Sequence, residues 1–294
     1  MNINQNATIS NTRKGASPPN FCSRNKVIRD ADKVARLARR EFPMISDTLI
    51  YENGIKSPGH VKVYKFVSGV ISEVRGFLAQ EKSVAKSLLV MMDSVKQLKI
   101  GNCNESANIT AIGLRANGYK DAKMYQLFAY NPKTAVAKDL GHAVVGIGLE
   151  KSPKIVPTNI KVPFYVGGRR GIIVDNWLGK VDYERNFNYK KHQFFENNVK
   201  SDEIICYTRN GRANDLSDKD ILFMEKKYPG LLKSGKLSFI NRIKAMFIKD
   251  KNYEFKPFEQ DVIESYRTNL EFKRSYTREQ LTEFLTRKAR SHND

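Results

Sequence analysis

Residues 97–117 read QLKIGNCNESANITAIGLRAN. Gly101-Asn102 is a turn signal, and a small or apolar face follows it. Cys103, Ala107, Ala111 and Leu114 recur at the helical period, so the stretch is expected to form a helix that begins at Cys103. Asn117-Gly118 should end it, because Gly readily takes the left-handed conformation that closes a helix. A thiol in the first turn faces unpaired backbone N–H groups and the positive end of the helix dipole, and both favour thiolate over thiol. A lone cysteine is more often a small core residue. The rest of the chain has to decide between the two.

Two apolar runs downstream supply the deciding pattern. Residues 142–149 read HAVVGIGL and open with a histidine; residues 171–181 read GIIVDNWLGKV and place Asp175 before Asn176 and Trp177. A Cys at a helix start, a His at the head of one buried strand and an Asp at the tail of the next can supply a nucleophile, a base and an orienting group. Gln97, six residues before Cys103, could donate a hydrogen bond to a developing oxyanion. Asn102, Glu105 and Trp177 are candidates for a substrate groove around that centre. The remaining histidines, His60, His192 and His292, lie in turn-like, polar or terminal stretches and do not compete.

Bulk composition sets the frame. Of 294 residues, 40% are hydrophobic, enough for a packed core. Lys and Arg number 51 against 31 Asp and Glu, a net charge of +20. Anionic partners fit that balance: a lipid surface, nucleic acid or an acidic protein. No nucleic-acid-binding motif accompanies the charge, so nucleic acid is not the expected partner. Cys22, Cys103 and Cys206 are widely spaced with no C-x-x-C pair, which argues against a disulfide framework and a cysteine zinc site. A reducing compartment and a free thiol follow from that usage. No metal-ligand spacing and no nucleotide-binding glycine motif is present, so neither metal nor cofactor is expected. No run reaches the ~18 apolar residues of a spanning helix.

Along the chain, residues 1–25 are rich in Asn, Ser and Thr, lack the apolar run of a signal peptide, and are expected to be a disordered leader. Residues 26–42 should form a helix with Val27, Ala31, Val34 and Ala38 on one face and Arg29, Lys33, Arg36 and Arg40 on another; such a helix can lie on an anionic membrane or simply present a solvated face. Residues 44–60 contain Asn53-Gly54 and Pro58-Gly59 and read as a turn-rich link. Helices are expected over 61–80 and 82–98, and strands over 121–131, 142–149, 171–176 and 203–208, the last with Cys206 as a core residue. Residues 150–170 read as an extended excursion. From 215 onward the chain reads as basic helices at 217–228, 236–249, 257–272 and 277–290. The division expected is a leader (1–25), a catalytic domain (26–210) and a basic helical extension (211–294).

The central arrangement resembles the papain-like cysteine hydrolases. Gln97 precedes Cys103 by six positions, His142 opens HAVVGIG, and Asp175 stands in VDNWLG, each close to that family's pattern. The likeness covers about residues 97–182. Two features depart from the better-known members: Gly-Asn-Cys-Asn-Glu surrounds the nucleophile, and Asp175 stands where Asn is commoner, with Asn176 adjacent. These departures resemble the divergent branch of bacterial toxins and injected effectors, which contains peptidases, glutamine deamidases and transglutaminase-like enzymes. The resemblance implies an α+β fold, with a helical subdomain ending in the Cys103 helix packed on an antiparallel sheet. It implies thiol hydrolysis of amide bonds in protein substrates, by a secreted effector working in the reducing cytosol of a host cell. Deamidation of glutamine is the alternative activity. A non-enzymatic basic module binding membrane or nucleic acid is the competing class.

Overall fold

Ala31, Val34, Ala35 and Ala38 are wholly buried along one side of helix α1 (Phe21–Glu41), where small side chains let it approach its neighbours closely. In the computed structural model, residues 21–44, 46, 58–149, 154–156, 164–166, 171–191, 195 and 198–231 are described. Helix α1 therefore begins inside the stretch read as a leader. Helix α2 (Pro58–Gln80) starts at the Pro-Gly pair read as a turn, since proline's fixed φ and missing N–H suit a first helical position. Helix α3 (Val84–Leu98) is capped by Ser83 and stops at Lys99, which takes a left-handed φ of 56°. Helix α4 (Cys103–Ala116) starts at the cysteine. Gly118 follows with φ +92°, the conformation that closes the helix. The expected helices at 236–249, 257–272 and 277–290, and residues 1–20, lie outside the described residues.

Seven strands form one antiparallel sheet: β1 (Ala122–Asn131), β2 (Val136–Ile147), β3 (Lys154–Val156), β4 (Phe164–Val166), β5 (Ile172–Asp175), β6 (Lys180–Tyr183) and β7 (Ile204–Arg209). Their order is β3-β4-β7-β1-β2-β5-β6. The protein is thus α+β, with helices packed on an antiparallel sheet. Alternation sorts the central strands into two faces. Ala122, Met124, Ala143, Val145, Ile147, Ile172 and Val174 share a core with α1, α3 and α4. Tyr125, Leu127, Val144 and Ile173 turn the other way and pack with Tyr189, Phe195, Val199 and Tyr207. Burial on both faces is why these strands read as continuous apolar runs.

Helix α4 is the axis of the molecule: every residue from Glu105 to Leu114 is buried. Full burial of a side chain such as Ile109, Ile112 or Leu114 is worth about 1.5–3 kcal/mol. The first core does not stop at residue 210. Ala213, Leu216, Ile221, Phe223, Met224, Tyr228 and Leu231 belong to it, the middle of this run lying on helix α5 (Asp218–Lys227). Arg115 donates to the carbonyls of Ala213 and Leu216 at 2.8 Å, and Asn117 to that of Leu231 at 2.9 Å. The charged exterior of α5 had suggested a separate extension, yet its Ile221, Phe223 and Met224 face the common core.

Candidate active site

Cys103 is the first residue of α4 and is half-buried. Asn102 is extended (φ −120°, ψ −171°) and delivers the chain into the helix. Glu105 turns back to this end: its Oε2 accepts the Asn102 N–H at 2.8 Å, satisfying a donor that a helix start leaves unpaired. Arg75 of α2 grips the same carboxylate with a fork, Nε to Oε1 at 2.8 Å and Nη2 to Oε2 at 2.9 Å. Ser46 Oγ donates to Asn102 Oδ1 at 2.6 Å. Glu105 and Asn102, read as groove candidates, are therefore engaged in building the helix start. The buried Glu105 faces Arg75.

The histidine is aimed by a bulge. Strand β2 begins at Val136, so His142 lies inside it rather than at its head. Pairing of β1 with β2 runs from Ala122↔Ile147 to Gln126↔Ala143, slips, and resumes at Phe128↔Asp139. The slip leaves extra residues on β2 at Leu140, Gly141 and His142. Gly141 takes φ +65°, which a side chain would strain. Asp139 Oδ1 pins the bulge by accepting the Gly141 N–H at 2.7 Å and Gln126 Nε2 at 2.9 Å. The Gly141 carbonyl lies 3.5 Å from Cys103 Sγ. The apolar run made 142 look like a strand start because the preceding half of β2 is largely exposed.

His142 and Asp175 are 1% and 0% exposed, and Nε2 lies 2.7 Å from Oδ2. Burial pulls the imidazole pKa down. The charge and hydrogen bond of Asp175, then those of Cys103, outweigh it and push the value up to about 10. The carboxylate and the sulfur thus both favour the protonated ring. Asp175 ends β5, and its Oδ1 accepts the Leu178 N–H at 3.0 Å while Oδ2 also accepts the Tyr189 hydroxyl at 3.2 Å.

No family model, curated protein or solved structure matches this chain.

The rest of the site is read from the chain's own geometry. Asn176 is bonded to other residues. Its Oδ1 accepts from Arg39 Nη1 at 2.6 Å, and its Nδ2 donates to Ser106 Oγ at 3.1 Å. The amide thus ties the Asp175 turn to α1 and to the Cys103 helix, leaving Asp175 as the partner of His142. Gln97 stands in the last turn of α3 with its side chain exposed. Trp177 is half-buried in the turn between β5 and β6. Cys206 is buried in β7, where desolvation pushes its thiol up to about 12, as befits a core residue.

Sequence reasoning passed over Tyr189, Phe195, Arg39, Ser106 and Arg75. None sits in a motif; the aromatic density of 187–195, FNYKKHQFF, was the available signal. Among the described residues no cluster of three or more His, Cys, Asp or Glu could hold a metal, and no helix is long and apolar enough to cross a membrane.

Proposed function

We propose that the chain is a cysteine hydrolase of papain-like type, acting on amide bonds of protein substrates through Cys103, His142 and Asp175. The observation that supports this reading is the buried 2.7 Å contact between Nε2 of His142 and Asp175, made by a histidine that also bonds to Cys103 at the start of α4. Cys103 Sγ attacks the carbonyl carbon and the oxyanion forms. The Cys103 N–H and the Gln97 amide stabilise it; one such donor is worth about 3 kcal/mol of barrier. His142 then passes its proton to the leaving amine, giving a thioester. Water, deprotonated by His142, releases the acid and restores the thiolate–imidazolium pair.

A main-chain amide makes the enzyme a protease, and a glutamine side chain makes it a deamidase that releases ammonia. Proteolysis is preferred because HAVVGIG and VDNWLG match that branch well. The cysteine usage and strongly basic composition fit an effector secreted into a host cell's cytosol. The partner beyond substrate is an anionic membrane surface. Lys26, Arg29, Lys33, Arg36 and Arg40 are exposed on α1 at alternating three- and four-residue spacing. Its apolar face is taken up by the core, so adsorption would be electrostatic and salt-sensitive.

The deciding experiment is iodoacetamide labelling of Cys103 against pH, read by peptide mass spectrometry, with His142→Ala alongside. Rapid labelling that persists below pH 7 and is lost in the variant is expected. A labelling curve rising only near the ordinary thiol value of about 8.5 in both proteins would remove the hydrolase reading. Peptide cleavage against ammonia release then separates the two activities.

A further inference from the structure

Phe187, Tyr189 and Phe195 form an aromatic wall behind the histidine. Phe187 stacks on Tyr189 at 5.3 Å between ring centroids, Tyr189 meets Phe195 edge-on at 5.4 Å, and Phe195 meets His142 edge-on at 5.2 Å. Tyr189 and Phe195 are 2% and 0% exposed. The Tyr189 ring packs within the second core. Its hydroxyl donates to Asp175 Oδ2, the same oxygen that bonds His142. A carboxylate oxygen offers two lone-pair sites, so the two donors fill Oδ2 between them.

Building on the Cys-His-Asp reading, we infer that Tyr189 is a positioning residue that shares Asp175 Oδ2 with His142, fixing the carboxylate and limiting its hold on the imidazolium proton. The chemistry requires such a limit. His142 has to release its proton to the leaving amine, and a buried carboxylate with one donor would retain it strongly. A second donor on the same oxygen draws off part of the negative charge. The aromatic wall keeps water from taking that place. Burial, with the Asp175 charge adding to it, pushes the Tyr189 phenol far up, so it remains an O–H donor at any working pH. The other titratable groups facing this centre are Cys103 at His142, and Glu184 and Tyr207 at Tyr189.

The test is the titration of His142 by nitrogen-15 NMR in the full chain, which has four histidines. Tyr189→Phe keeps the ring and its packing. It should move proton loss from His142 to higher pH by about one unit, tenfold in the equilibrium. Asp175→Asn should move it the other way. Tyr207→Phe removes a hydroxyl from the same cluster and should leave the titration unchanged. Uniform 3-fluorotyrosine strengthens the donor without a substitution and should lower the titration. An unchanged or lowered value in Tyr189→Phe, or an unchanged or raised one with fluorotyrosine, overturns the inference. Failure of the hydrolase reading is seen separately, as Cys103 labelling that does not depend on His142.

Discussion

Two buried carboxylates flank Cys103, and they are partnered differently. Asp175 faces His142, an ionisable ring whose protonated form it favours. Glu105 faces Arg75, whose guanidinium stays charged throughout. Asp175 sits in an aromatic, water-poor setting with donors from His142, Tyr189 and the Leu178 N–H. Glu105 sits at a helix start, with Arg75 partly in solvent, its side chain 44% exposed. One carboxylate is paired with an ionisable ring, and the other holds the backbone of a helix start. The lesson is that burial of a carboxylate near a cysteine does not assign its role; the partner does.

The comparison breaks most severely at Asp175. Asp175→Ala leaves an imidazole buried without its acceptor, and loss of one member of a buried pair costs about 3 kcal/mol or more. Denaturant unfolding should register that loss, and Cys103 labelling below pH 7 should fall with it. Glu105→Ala should cost less, about 1–2 kcal/mol, because Arg75 can return to water while the Asn102 N–H loses its acceptor. Its labelling curve should keep its pH dependence; a curve as altered as that of Asp175→Ala would give Glu105 a part in the chemistry.

Glu184 sharpens the contrast with the smallest effect. Its Oε2 is buried with no hydrogen-bond partner among the described residues, and burial pushes its carboxyl up to about 7. The folded chain therefore favours the protonated acid. That stability is fully present below the ordinary value of 4.5 and is lost as pH rises through about 7. Glu184→Gln imitates the protonated form. Its thermal midpoint should match the parent at acid pH and exceed it above about pH 7. Equal midpoints at both ends would mean that the carboxylate finds a partner in solution.

Much of this was legible locally. The start of α4 at Cys103 followed from Gly-Asn ahead of a periodic apolar face, and its end from Asn117-Gly118. The strands carrying His142 and Asp175 followed from apolar runs that only a sheet buried on both faces requires. Cys206 read as core for the same reason. These are short-range properties of backbone conformation and side-chain periodicity, and neighbours in the chain are enough to express them.

What neighbours could not express was the pairing. The role of Glu105 depended on Arg75, 30 residues away, and the disposal of Asn176 on Arg39, 137 residues away. The bulge that aims His142 depended on the register between β1 and β2, which no property of HAVVGIG contains. Tyr189 reaches Asp175 because a segment with no motif folds over the second face of the sheet. The sequence by itself determined which elements Cys103, His142 and Asp175 stand on. Tertiary structure alone decided which partner each receives, because charge, desolvation and hydrogen bonding are set by what lies within a few ångströms rather than by what lies next in the chain.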